Sequence, residues 1–390
     1  MANNKPKICF VALNSYNLVA GGGTSGHIGG AEVQQWLTAN WLRDKGFVVS
    51  FITLDHGQSD GSQHHGFTVY KAYNNNSGLP GLRFIWPRWS KLWSAMQRAN
   101  CDIYYQRGAG LETGQVALWC HLNGKKFIHA VAHEPDCTPE MPMVPKLRER
   151  ILYRYGLRRA DAVIAQTESQ QDLLQRHFRK DSCLVKNSAL STEDNHKAPI
   201  NKFTSKSVLW VGRLVPVKRF EWLLDLAVKM PDVSFIVIGS ANKSSEYDVK
   251  LQDIARKLSN IRLVGEVPYS QMHEYYRTAA MICCTSLKEG FPNVFLEAWR
   301  EGLPVVSTVD PDGVITKNKL GYTANSVEKL NHHLSEILSD EKKYIEFSQN
   351  CLSYFQKNHT PDSTLPALKN LLIQLSSNNE AKKEQLPLNS

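Results

Sequence analysis

The stretch from Ala280 to Thr308 limits what this chain can fold into more than any other. It reads Ala-Met-Ile-Cys-Cys-Thr-Ser-Leu-Lys-Glu-Gly-Phe-Pro-Asn-Val-Phe-Leu-Glu-Ala-Trp-Arg-Glu-Gly-Leu-Pro-Val-Val-Ser-Thr. Met281 to Thr285 is a short apolar run, the pattern of a parallel strand buried on both faces. Lys288 to Pro292 predicts a tight loop, and Pro292 suits a first helical position, where its missing N–H is not needed. Asn293 to Glu301 predicts a helix, Gly302 the left-handed residue that ends it, and Pro304 the bar to its continuation. Val305 to Thr308 then supplies the next strand.

In such a β-loop-α-β unit, ligands sit beyond the carboxyl ends of the strands, where Ser286–Pro292 falls. The helix start offers free N–H groups and a partial positive charge, which suit a phosphate. Glu289 in the loop and Glu297 on the helix flank that point, with seven residues between them. Both carboxylates accept hydrogen bonds from hydroxyls. A phosphate held by backbone, with hydroxyls held on either side, describes a nucleotide sugar. Glu289-Gly290-Phe291-Pro292, Glu297-Ala298 and Gly302-Leu303-Pro304-Val305 together resemble the Glu-x7-Glu motif of retaining glycosyltransferases of the GT-B fold, chiefly family 4. The resemblance implies an α/β protein of two doubly wound, Rossmann-like domains facing an inter-domain cleft.

The 390 residues suffice for two ordinary domains, and 21% charged residues with 42% hydrophobic ones are those of a globular chain. A formal charge of +9 fits nucleic acid, anionic lipid or acidic small molecules and does not choose among them. No helix-turn-helix or RNA-binding signature accompanies it, so nucleic acid is not expected as a partner. None of the eight cysteines forms a Cys-x-x-Cys pair, which points to a reducing cytosol and against a zinc site or disulfide framework. Ile8–Leu13 is too short for a signal-peptide core, and no run reaches membrane-spanning length. The expected location is the cytoplasm, with any membrane contact peripheral, on the inner face of the cytoplasmic membrane.

In the first half, Lys7–Leu13, Phe47–Leu54, Asp102–Arg107, Lys126–Val131, Asp161–Thr167 and Leu184–Asn187 predict strands. Gly21, Gly23 and Gly26 formally fit Gly-x-Gly-x-x-Gly, but the strand before them ends too early for a dinucleotide turn. A glycine loop open to close ligand approach is the better account, leading into a helix from about Gly30 to Lys45. Gly29-Gly30-Ala31-Glu32 resembles the family's Gly-Gly-Ala-Glu, which implies that Gly30 lies against the donor. His56, His64 and His65 lack a partner at ligand spacing and read as a solvated loop. Leu82, Ile85, Trp86, Trp89, Leu92, Trp93 and Met96 recur at helical spacing with interleaved cations, fitting either a membrane interface or a core-packed helix. Pro145–Arg159 is a basic amphipathic helix with the same two outcomes. His133 follows a strand, at the position of the family histidine that contacts the donor sugar near its anomeric centre.

Asn187–Lys206 is polar and predicts the linker, so residues 1–195 form the acceptor-side domain and 200–358 the nucleotide-sugar domain. A C-terminal helix over 360–376 is expected to rejoin the first domain, and 377–390 to be disordered. In the second half Val208–Gly212 is a buried strand, with Arg213 and Lys218 past its carboxyl end. Arginine grips a phosphate through two parallel bonds and lysine adds a point charge. Gly212-Arg213-Leu214 with Lys218 resembles the family's diphosphate-binding segment. Phe235–Gly239 and Ile261–Val267 are further strands. Asp310–Gly313 departs from the family's Gly-Gly-x-x-Glu, Asn187-Ser188 departs from Asn-Gly, and Gly321 fits a turn.

The resemblance implies a retaining hexosyltransferase that needs no cofactor and no metal and uses a UDP- or GDP-linked sugar. Arg213, Lys218 and the helix start, with Gly212, Gly290, Phe291, Pro292, Asn293 and Val294, would hold the donor diphosphate. Glu297 would hold the ribose, and Glu289 and His133 the sugar at the reacting centre. The acceptor would be a saccharide, expected to be lipid-linked, in assembly of a bacterial surface polysaccharide such as O-antigen, capsule or exopolysaccharide. Two alternatives stay open. Gly22-Gly23-Thr24-Ser25-Gly26-His27 resembles the glycine loop of the inverting peptidoglycan lipid-intermediate transferase. The departures at Asp310–Gly313 and Asn187-Ser188 would suit a catalytically silent nucleotide-sugar-binding partner subunit.

Overall fold

The computed structural model of the protein describes residues 5–21, 29–79, 83–142, 144–190, 202–239 and 246–384, with side chains as far as residue 377. The glycine loop at Gly22–His27, Leu82 and residues 191–201 of the expected linker lie outside the described residues. The chain divides into two units: residues 1–187 with 364–390, and residues 188–363.

The first unit is built on β1 (Ile8–Val11), β2 (Val49–Thr53), β3 (Ser62–His64), β4 (Phe67–Lys71), β5 (Ile103–Arg107), β6 (Lys126–Ala130), β7 (Ala162–Ala165) and β8 (Cys183–Leu184). They form one sheet in the order β3-β4-β2-β1-β5-β6-β7-β8, with only the β3–β4 pairing antiparallel. Side chains alternate between its faces: Cys9 and Val11 join one core, Ile8 and Phe10 the other. Burial on both faces is why these strands read as unbroken apolar runs.

The helices Leu111–Leu122 and Leu147–Arg159 pack on each other through glycine. A Cβ at Gly114 would lie 2.5 Å from the Leu152 carbonyl oxygen, and one at Gly156 would lie 2.5 Å from that of Thr113. The first of these helices is not legible in the sequence. Its Gly114 and short run of mixed residues hide the period that a partner helix enforces.

The Trp-rich stretch does not form one interfacial helix. Trp86 precedes Pro87 and is extended (φ −128°, ψ 126°), as a residue before proline prefers, and the regular helix starts only at Ser90. From there Leu92, Ala95 and Met96 are fully buried, and the Trp93 indole donates to the Gln115 carbonyl at 3.1 Å. Ile85 and Trp86 stay exposed ahead of that helix.

The second unit holds β9 (Ser207–Val211), β10 (Ser234–Ile238), β11 (Ile261–Gly265), β12 (Met281–Cys284), β13 (Val305–Ser307) and β14 (Gly321–Thr323), in the order β11-β10-β9-β12-β13-β14. Every pairing is parallel. Gly321 is not a turn residue but the first of β14, at φ 138°. A Cβ there would sit 2.0 Å from the Val305 carbonyl oxygen, so only glycine admits the neighbouring strand.

From Thr364 the chain belongs to the first unit again. Leu365, Leu368 and Leu372 lie in the same core as Phe10 and Phe51. The last helix, Pro366–Glu384, runs on into the stretch expected to be disordered. Glu380-Ala381-Lys382-Lys383-Glu384 consists of strong helix formers, and a helix already anchored needs no new nucleus to extend.

Candidate active site

Chain order in the second sheet runs from β9 outward to β11, then returns to the other side of β9 with β12. The crevice between β9 and β12 is therefore a topological switch point, the place where open α/β sheets bind ligands. The loops leaving these two strands carry Gly212, Arg213 and Lys218 on one side and Glu289 to Pro292 on the other. The first sheet has its own switch point between β1 and β5, and Gly30 lies on the segment leaving β1.

The two loops of the second unit are stitched together. Lys218 forms an ion pair with Glu289. The Leu287 N–H donates to the Val217 carbonyl at 2.7 Å. The Thr285 hydroxyl donates to the Lys218 carbonyl at 2.7 Å and accepts from the Trp210 indole at 3.0 Å. Arg219 donates from Nε to the Thr285 carbonyl at 2.7 Å and from Nη2 to the Ser286 carbonyl at 3.1 Å. Gly239, at φ 152°, lets β10 close on the same edge, since a Cβ there would lie 1.8 Å from the Gly212 carbonyl oxygen. Arg213 is exposed and makes no ion pair among the described residues.

The helix after the loop runs Asn293–Arg300 with Pro292 one position earlier than expected, as its N-cap, extended at ψ 120°. Its far end is as the sequence predicts. Gly302 is left-handed at φ 70°, its N–H donates to Trp299, and the Leu303 N–H donates to Ala298. Asn293 and Val294, both half-buried, open the helix, and Gly290 is buried in the loop. The Phe291 ring is buried against Trp299 and His359, at centroid distances of 6.1 Å and 5.2 Å.

Glu297 sits in the middle of the helix and is buried beside Tyr269, Tyr276 and Arg300. Burial pushes its carboxyl above the usual range; the Arg300 charge and the two tyrosine hydroxyls oppose that rise. Tyr269 follows β11 at the sheet's carboxyl edge, a position that no motif in the sequence marks. Where the family pattern is lost, the Asp310 carboxylate caps the next turn, accepting from the N–H groups of Ile315 at 2.8 Å and Thr316 at 3.2 Å.

In the first unit, Gly30 opens the Gly30–Asp44 helix behind the extended Gly29. His133 follows β6 and caps the turn Glu134–Cys137, with its side chain half exposed. The buried Asp136 carboxylate accepts the His133 N–H at 3.0 Å and lies 3.8 Å from its Nδ1. Among the described residues, the one group of metal-ligating atoms within 4.8 Å is His332, His333 and Glu336, on a helix that carries none of these site residues. Glu336 is already held there by Lys343 and Tyr322.

The family described as "Glycosyl transferases group 1" matches residues 191–352, and the "Glycosyl transferase 4-like domain" matches residues 29–185. An uncharacterized glycosyltransferase of Haemophilus influenzae is 27% identical over 201 residues, covering 48% of this chain and 54% of that protein. The amylovoran biosynthesis glycosyltransferase AmsD of Erwinia amylovora is 25% identical over 216 residues, covering 52% of this chain and 59% of its own length. The matched stretch thus spans little more than half the length of these curated relatives. Among solved structures, the Anabaena protein Alr3699/HepE in complex with UDP and glucose superposes with a TM-score of 0.71, at 17% identity over 98% of this chain and all of that one. The chain belongs to the group 1 glycosyltransferases and has the GT-B fold of their family 4.

Proposed function

We propose that this chain transfers a sugar from a nucleotide-diphospho-sugar to a saccharide acceptor, with retention of anomeric configuration and without a metal. The observation that carries this reading is the meeting of the Arg213–Lys218 and Glu289–Pro292 loops at the switch point of the second sheet. Arg213, Lys218 and the N–H groups of Asn293 and Val294 neutralise the leaving diphosphate, the task a metal performs elsewhere. Glu297 accepts from the ribose hydroxyls, with Tyr269 beside it, and Glu289 accepts from a sugar hydroxyl. His133 is assigned to the sugar by resemblance. No second nucleophile is invoked: the acceptor attacks from the face the diphosphate leaves, and a diphosphate oxygen takes its proton. UDP or GDP serves as the nucleotide, and the HepE complex favours UDP. The test is product NMR after incubation with a sugar-nucleotide panel. An inverted linkage excludes the mechanism, and donor binding without transfer favours a silent partner subunit.

The acceptor we assign is lipid-linked, in polysaccharide assembly, as the name of the AmsD relative suggests for that protein. Among the described residues no helix is long and apolar enough to cross a membrane. Contact would be peripheral, on the inner face of the cytoplasmic membrane. Ile85, Trp86, Leu147 and Ile151 are exposed at 60%, 67%, 73% and 58%. Arg148 lies 4.8 Å over the Phe84 ring, joining the two segments that carry them. Lys146, Arg148, Arg154, Arg158 and Arg159 are exposed on the same segment as Leu147 and Ile151, a pattern that suits anionic head groups. Co-sedimentation with anionic vesicles at low salt tests it: Trp86→Ala with Ile151→Ala loses binding, while failure of the unsubstituted protein to bind speaks for a soluble acceptor.

A further inference from the structure

Arg219 is in the left-handed region, at φ 48° and ψ 53°, where a side chain with a Cβ is disfavoured. Glycine would sit there without strain. Its guanidinium lies 3.9 Å over the Trp222 ring and donates to two successive carbonyls, Thr285 and Ser286. Those carbonyls lie just past the end of β12, where the ladder to β9 and β13 no longer satisfies them. The Ser286 oxygen also accepts from the Thr308 hydroxyl at 2.6 Å. A planar fork on consecutive carbonyls fixes both peptide planes, and with them the direction in which the chain leaves toward Glu289. On its other side, Arg219 is bonded directly to Lys218.

We propose that Arg219 is a positioning residue: it locks the loop after β12 against the loop after β9 and so sets the Lys218–Glu289 pair in register for the donor. This rests on the assignment of the second unit to the nucleotide sugar. Two carbonyls and the Trp222 face engage the guanidinium, so its part is to hold the loop and not to grip phosphate. The sequence hides this role, because an arginine next to Lys218 looks like one more phosphate cation.

Arg219→Gly is the informative variant, since glycine relieves the left-handed backbone while removing the fork. Amide hydrogen exchange over residues 285–291 is expected to quicken at least about ten-fold, with β9 and β12 unchanged. Donor turnover is expected to fall about 10- to 100-fold in kcat, with donor KM nearly constant. Low, non-denaturing guanidinium restores part of kcat, and Arg219→Lys recovers less than half, because an ammonium cannot hold two carbonyls in one plane. Unchanged exchange overturns the proposal. So does a rise in donor KM at constant kcat, which would place Arg219 on the donor itself. If the wild-type protein transfers no sugar, the glycosyl-transfer assignment fails while the exchange measurement still decides the locking role.

Discussion

Lys218 and Glu289 lie 71 positions apart and meet as an ion pair across the loops that leave β9 and β12. One was expected on a phosphate and the other on a sugar hydroxyl. Their contact makes the two loops one electrostatic unit, and on the proposed reading both receive the donor together.

Coupling of this kind is measurable. Lys218→Ala and Glu289→Ala are each expected to lower kcat/KM about 100-fold, the loss typical of one preorganised charged group. The double variant should fall well short of the product of the two effects, with an interaction of about 1–3 kcal/mol. Steady-state kinetics on all four proteins decides, and strictly multiplicative losses would mean that the pair acts as two independent groups.

Glu297 has a carboxyl pushed above its ordinary range, chiefly by burial. If its ionised form accepts the ribose hydroxyls, as proposed, donor KM should rise as pH falls, starting above the usual carboxylate range. Glu297→Gln should flatten that acid limb. The sign for stability is the reverse. A raised carboxyl contributes stability that is present below its ordinary value and lost as pH rises through the raised one. Denaturation at several pH values should therefore show the glutamine variant gaining on wild type as pH increases.

The glycine crossing of the Leu111–Leu122 and Leu147–Arg159 helices tolerates no methyl. With Thr113 oxygen 2.5 Å from where its Cβ would stand, Gly156→Ala should destabilise the first unit by about 1–3 kcal/mol. Urea unfolding measures this. On the proposed reading the nucleotide is held by the second unit, so affinity for the free nucleotide should stay unchanged.

Much of the architecture was readable because burial on both faces turns Ile8–Val11, Ser207–Val211 and Met281–Cys284 into plain apolar runs. The proposed donor edge stands out for a like reason, since Gly212, Arg213 and Glu289 follow soon after such runs. What stayed hidden is of a different kind. Gly114 and Gly156 mark a crossing only once both helices exist. Phe291 reads as a loop residue until His359 and Trp299 are seen to enclose it. Arg219 and Thr285 are polar groups whose partners lie 66 to 75 positions away, beyond the reach of any local pattern.

Leu368 is buried in the core that also holds Phe10 and Phe51. Leu368→Ala should cost about 2–5 kcal/mol. Urea unfolding followed by segment-resolved hydrogen exchange should show the loss in β1 and β2, while β9 and β12 keep their protection.

That helix has a further consequence for how the molecule is made. Domains tend to fold as they leave the ribosome, amino-terminal part first. Here the core of residues 1–187 also takes Leu365, Leu368 and Leu372, which are made only after the whole of residues 188–363. The first unit therefore cannot finish packing until residues 188–363 have been made, and a stop codon placed before Leu365 would injure the core around Phe10 and Phe51.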